Sequence, residues 1–180
     1  MRKAMILMLF ALAILPCAAG ATSVGIGAFG GVGVPIIQDD NGQGSLFGAR
    51  VPVTLLPLVT VEPYYVKTSG ASKDQVVDEL TYTRSGIDVS GFGANLLLTF
   101  GSKFQMYPFA GIGSYKLSRT GLDQTSTAYT FGLGFGLSPM PKLSIHVRGE
   151  LAAAVEGQTS RKWANATVGV SYNIFSTPAH

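Results

Sequence analysis

Charge is sparse in this chain, at 13 % Asp, Glu, Lys and Arg, so the few charges inside apolar stretches are conspicuous. Arg50 and Glu62 lie on either side of a short Leu56-Pro57 turn. His146, Arg148 and Glu150 recur at every second residue between Leu143 and Leu151. Period two places a row on one face of a β-strand, so these five residues are expected to share an interior. Guanidinium and carboxylate groups there must pair, because an unpaired buried charge is costly. Such a set can build a salt-bridged plug or line a polar path. Bond-making chemistry is not indicated: no nucleophile, base and orienting group recur together, and no enzyme activity is expected. A metal site is not expected either, since His146 has no second His or Cys near it and His180 is the last residue. Asp39-Asp40 and Asp78-Glu79 read as solvated loop charges. Gly25-Ile26-Gly27-Ala28-Phe29-Gly30 matches G-x-G-x-x-G literally. That pattern binds a dinucleotide only between a strand and a helix; nothing helical follows here, and no cofactor is expected.

The first 21 residues have the organisation of a secretion signal. Arg2 and Lys3 form a positive start, Met5 to Leu15 an apolar run, and Ala19-Gly20-Ala21 a small-x-small cleavage site, with Cys17-Ala18-Ala19 as a competitor. Such a run falls well short of the roughly 20 apolar residues a spanning helix needs. The reading is therefore a signal peptide over 1–21 and one domain over 22–180. Cys17, the sole cysteine, falls in the leader, which leaves the domain without thiol or disulfide chemistry. Removing Arg2 and Lys3 takes the basic residues from 13 to 11 against 10 acidic ones. This balance speaks against nucleic acid as a partner, which calls for a concentrated basic face.

An exported chain with 23 glycines and no long apolar run can still cross a membrane as a closed β-barrel, in which strands pair all backbone groups. The periodicity agrees. From Tyr129 to Leu137 every odd residue is large and apolar and every even one is Gly or Thr. Leu143, Ile145, Val147 and Leu151 alternate with the polar row of His146, Arg148 and Glu150, and Ala164 to Ile174 alternates in the same way. Eight segments result, near 23–35, 45–55, 58–68, 87–100, 105–118, 127–138, 142–155 and 163–175. Tilted membrane strands need about 9–11 residues, and an even strand number suits a closed meander. Connections after even segments are tight. Those after odd ones, 38–44, 69–86, 119–126 and 156–162, are longer and polar. This alternation predicts an all-β, eight-stranded antiparallel up-and-down transmembrane barrel with both termini on the periplasmic side. Arg50, Glu62, His146, Arg148 and Glu150 then form a lumen polar network. Phe100, Tyr107, Phe109 and Tyr129, near strand ends on the apolar face, are expected to form an aromatic girdle. Gly25, Gly27, Gly91, Gly93, Gly132, Gly134 and Gly136 fall on the inward parity and leave room in a narrow interior.

In Tyr107 to Tyr115, Leu143 to Arg148 and the closing Val168 to Phe175, the chain resembles the small outer-membrane β-barrels that include the OmpA transmembrane domain, OmpX and OmpW-like proteins. The resemblance implies a bacterial outer-membrane location, outer-membrane lipid as surroundings, and the barrel-assembly machinery as a partner during biogenesis. It departs at the end, where Phe175 is followed by five further residues. The expected role is structural or surface-interacting, with the 69–86 loop as contact surface for an external partner. Two alternatives stand beside it. One is a narrow conduit for small hydrophobic molecules opening near Pro63; the other is a soluble periplasmic lipocalin-like barrel with its apolar faces turned inward.

Overall fold

Alternating sequence becomes strand throughout the computed structural model, which describes residues 23–36, 43–70, 73–77, 80–84, 88–119, 122–156 and 159–176. The expected signal peptide, the acidic pairs Asp39-Asp40 and Asp78-Glu79, and His180 lie outside the described residues. Among the described residues eleven strands form: β1 (Ser23–Ile36), β2 (Gly44–Arg50), β3 (Val53–Leu56), β4 (Val59–Ser69), β5 (Lys73–Val77), β6 (Leu80–Arg84), β7 (Asp88–Leu98), β8 (Phe104–Arg119), β9 (Leu122–Met140), β10 (Leu143–Glu156) and β11 (Thr159–Ser176).

Nine of them make one sheet, which closes because β1 pairs with β11 as well as with β2. β2 and β3 are two halves of a single wall strand, both held between β1 and β4. The wall is thus an eight-stranded antiparallel barrel, as the period-two pattern predicted. The interruption falls at Val51 and Pro52, where proline has no N–H for the ladder. The wall continues past it: Gly25 N–H donates to the Pro52 carbonyl at 2.8 Å and Val51 N–H to that of Pro63 at 2.9 Å.

One end of the barrel carries tight turns. Gly101, at φ +93°, makes the β7–β8 turn, and a Cβ there would collide with the Phe104 carbonyl oxygen. The other end departs from the expected loops. The segments 119–126 and 156–162 are largely strand, with β8 and β9 paired up to Arg119 and Leu122, and β10 and β11 up to Glu156 and Thr159. Alternation such as Thr125-Ser126-Thr127 suits a strand, with the two threonines exposed on one face and Ser126 buried on the other. These polar residues therefore extend the ladders. Within 69–86 a separate hairpin forms from β5 and β6.

A bulge next to Gly25 decides the aromatic near the end of β11. Val24 pairs with Phe175 but Gly25 pairs with Asn173, so Ile174 is the extra residue. Strict alternation would set Phe175 against Tyr172 and Ile174, whereas with the bulge all three are exposed.

Candidate functional site in the barrel lumen

The outer face is apolar over most of its height. Phe131, Leu133 and Phe135 of β9, Ile145 and Val147 of β10, and Val168 and Val170 of β11 are all exposed. Beyond Lys162 and as far as Ile174, the outward residues of β11 carry no charge; at ~3.3 Å per residue and ~40° tilt that is roughly 30 Å, the depth of a bilayer core. A soluble carrier needs the reverse arrangement, with its large apolar residues gathered around a ligand.

All five expected lumen residues come from strands β2, β4 and β10, and the structure turns them inward. Arg50 is register partner of Tyr64, and its Nε stands 3.8 Å from Glu62 Oε2. The main partner of Glu62 is Arg148, which donates from Nη1 to Oε1 at 2.5 Å and from Nη2 to Oε2 at 2.7 Å. β4 and β10 stand four strands apart in either direction around the ring. This bidentate bridge therefore crosses the full width of the lumen. Glu62 is only 2 % exposed, so the pair has little solvent screening. Glu150 accepts instead from Asn165 Nδ2, 2.8 Å away on the neighbouring strand.

From Arg148 a chain of contacts runs toward the turn end. Its Nε donates to Tyr107 Oη at 3.0 Å. Tyr107 Oη lies 3.0 Å from His146 Nδ1, and His146 Nε2 lies 2.6 Å from Ser171 Oγ. Every group is satisfied when Tyr107 donates to Nδ1 and the imidazole carries its proton on Nε2. The Arg148 guanidinium also stacks over the rings of Tyr107 and Phe109, at 4.9 and 5.3 Å from their centroids. Arg50 lies over Phe29 at 5.6 Å. These contacts add cation–π attraction that is stronger away from water.

Tyr107 and Phe109 correct the expected girdle. They are 1 % and 5 % exposed and point into the lumen, as do Tyr115 and Leu117 of the same strand. Tyr107 pairs with Gly134 and Phe109 with Gly132. Directly paired residues share a face, and both glycines sit on the inward face of β9. A Cβ at Gly134 would collide with the Tyr107 ring, and one at Gly132 would come within 2.7 Å of Phe109. The glycines are the hollows these rings occupy. Phe100 and Tyr129 stay on the outside, at 46 % and 52 % exposed.

The toward-loop half of the lumen holds residues that charge-based reading missed. Leu46, Tyr64, Val66, Tyr115, Leu117, Ala128 and Ala154 form one buried cluster, with Phe29, Val89 and Trp163 packed against it. Tyr64 and Tyr115 share a hydrogen bond of 2.9 Å between hydroxyls, and Tyr115 faces Trp163 across the barrel with centroids 5.8 Å apart. Below this layer, Thr130 Oγ1 donates to Asn95 Oδ1 at 3.0 Å. The space between Arg50, Glu62, Tyr64, Asn95, Tyr115 and Asn165 amounts to about 30 Å³, room for a water or two. The signal for Tyr115 was available in the sequence, since it falls opposite Gly91 in the same large-against-glycine pairing.

No family model matches the chain, and no curated protein is similar to it in sequence. Solved structures do share its fold. Neisserial surface protein A superposes with a TM-score of 0.68 at 12 % identity, over 85 % of this chain and 98 % of that one. The N-terminal β-barrel domain of Pseudomonas aeruginosa OprF gives 0.58 at 18 %, over 86 % and 99 %. A major outer membrane protein from Thermus thermophilus gives 0.55 at 10 %, over 84 % and 100 %. At these identities the likeness is one of architecture: the chain has the fold of the small eight-stranded outer-membrane barrels.

Proposed function

We propose that this chain is a bacterial outer-membrane barrel with a structural or surface-interaction role, its termini on the periplasmic side and its lumen closed by the polar network. The observation that carries the reading is the Arg148–Glu62 bridge spanning opposite strands of the wall. A passage for solutes would have to run through a bidentate ion pair braced by Tyr107 and Phe109. Supporting it are the outward apolar belt and the fold shared with an outer membrane protein and a surface protein by name. Outer-membrane lipid covers the belt, with Phe100 and Tyr129 among its aromatic residues. The barrel-assembly machinery inserts it, and the β5–β6 hairpin is the surface offered to an external partner.

The test is made on protein from washed outer membranes, compared boiled and unboiled in SDS and then reconstituted in planar bilayers. A heat-dependent mobility shift with conductance at background, in wild type and in Arg148→Ala alike, is the expected result. Recovery in the soluble periplasmic fraction would sink the membrane reading, and steady porin-sized current steps would sink the plug.

A further inference from the structure

The two halves of the lumen differ in how they meet solvent. Toward the loops, an apolar cluster drawn from every wall strand fills the lumen, with the buried Ser126 beside it, and it is closed: Ala128 is 0 % exposed, and Leu46, Tyr115 and Ala154 are buried with it. Toward the turns, beside the buried Val53, Thr60 and Leu97, the inward residues include hydroxyl, amide and imidazole groups that stay half-buried. They include Gln105, Ser138, Ser144, His146 and Asn173. Ser138 and Ser144 share a hydrogen bond of 2.8 Å, and Thr54 and Thr60 one of 3.1 Å. Polar groups keep partial exposure at little cost where water reaches them, whereas an apolar layer packed from all sides excludes it. Between the halves stand Tyr107, Arg148 and Glu62.

We propose that the turn-end half of the lumen is a blind polar vestibule. It takes water and small uncharged hydrogen-bonding molecules from the compartment the turns face and ends at the Tyr107–Arg148 contact, while the loop-end half is sealed. The inference rests on the plug reading and adds the side from which the plug is reached. Its lining has no net charge of its own, so it selects by size and hydrogen bonding. The consequence is an ordered accessibility: Ser144 half-buried, its register partner Ser171 buried beside His146, and Ala128 and Ala154 beyond the barrier.

The only cysteine is Cys17, so single thiols report cleanly. In a Cys17→Ser background of the full chain, Ser144→Cys, Ser171→Cys, Ala128→Cys and Ala154→Cys are made. Each is checked for the heat-dependent gel shift and treated in detergent with a small polar methanethiosulfonate. Detergent exposes both ends to reagent, so membrane orientation does not enter. Ser144→Cys should react fastest and Ser171→Cys more slowly. Ala128→Cys and Ala154→Cys should react at least about tenfold more slowly than either, at rates set by opening of the loop-end layer. Two positions per half guard against one variant failing to fold. Labelling of Ala128→Cys or Ala154→Cys as fast as Ser171→Cys overturns the inference, as does protection of Ser144→Cys to the level of the alanine sites. If wild type conducts, the plug itself is wrong; if it does not and the loop-end thiols label fast, only the one-sided access is wrong.

Discussion

β8 and β10 belong to the same wall yet sort their residues by opposite rules. On β10 hydrophobicity decides: Ile145, Val147 and Leu151 face out, and His146, Arg148 and Glu150 face in. On β8 the aromatics Tyr107, Phe109 and Tyr115 face in, while Phe104, Met106 and Ile112 face out. Both faces of β8 are apolar, so polarity does not choose between them. Size does, because the neighbouring strand offers Gly132 and Gly134 on the inside and Phe131, Leu133 and Phe135 on the outside. A narrow lumen is filled by pairing a ring with a hollow. The two rules then meet in one place, where the ring of Tyr107 from β8 holds Arg148 from β10.

Breaking the charge rule should have the largest effect. Arg148→Ala leaves Glu62 buried without its bidentate partner, and a loss of about 3–5 kcal/mol is expected in urea unfolding of the reconstituted protein. Replacing both partners, as Arg148→Met with Glu62→Leu, should recover most of it, since removing the pair leaves no orphaned charge. Recovery would show that the fold does not need the bridge once both charges are removed.

The parity of β8 is tested from outside. Ile112→Arg should cost about 2–4 kcal/mol in lipid, the cost of a basic residue at mid-depth, and Val147→Arg on β10 should match it. If Ile112→Arg were harmless, β8 would be turned the other way. The size rule is tested at its hollow: Gly134→Ala should destabilise by about 1–3 kcal/mol through overpacking against the Tyr107 ring. Adding Tyr107→Leu should relieve part of that cost, and a double-mutant cycle measures the coupling. The smallest effect is expected at Gly149, where a new Cβ meets nothing within 4 Å. Gly149→Ala should raise stability by about 0.5–1 kcal/mol, read as a higher urea midpoint with unchanged slope.

Legibility followed the same division. β9, β10 and β11 alternate cleanly between large apolar and small or polar residues, so their facing and the inward charged row could be read directly. β8 could not be oriented by polarity, and Tyr107 and Phe109 were expected on the lipid side. The correction was within reach of the sequence, since glycines assigned inward on β9 must share their face with whatever pairs opposite them. Using it required the β8–β9 register, which runs up to the pairing of Arg119 with Leu122 at the far end of the hairpin. Arg50 and Glu62 were recognised as interior, and they do meet, but spacing along the chain does not reveal that Glu62 takes Arg148 as its bidentate partner.

By itself the sequence determined the strand period, the eight-strand meander, the outward apolar belt and the inward set of charges. Each follows from local alternation, which a strand converts into two faces wherever it sits. Only the tertiary structure decided that Glu62 reaches across to Arg148, that aromatic rings fill glycine hollows, and that 119–126 and 156–162 extend the ladders. The physical reason is closure. Joining β1 to β11 brings residues of opposite strands within reach of one another, and no spacing along the chain encodes which of them will meet.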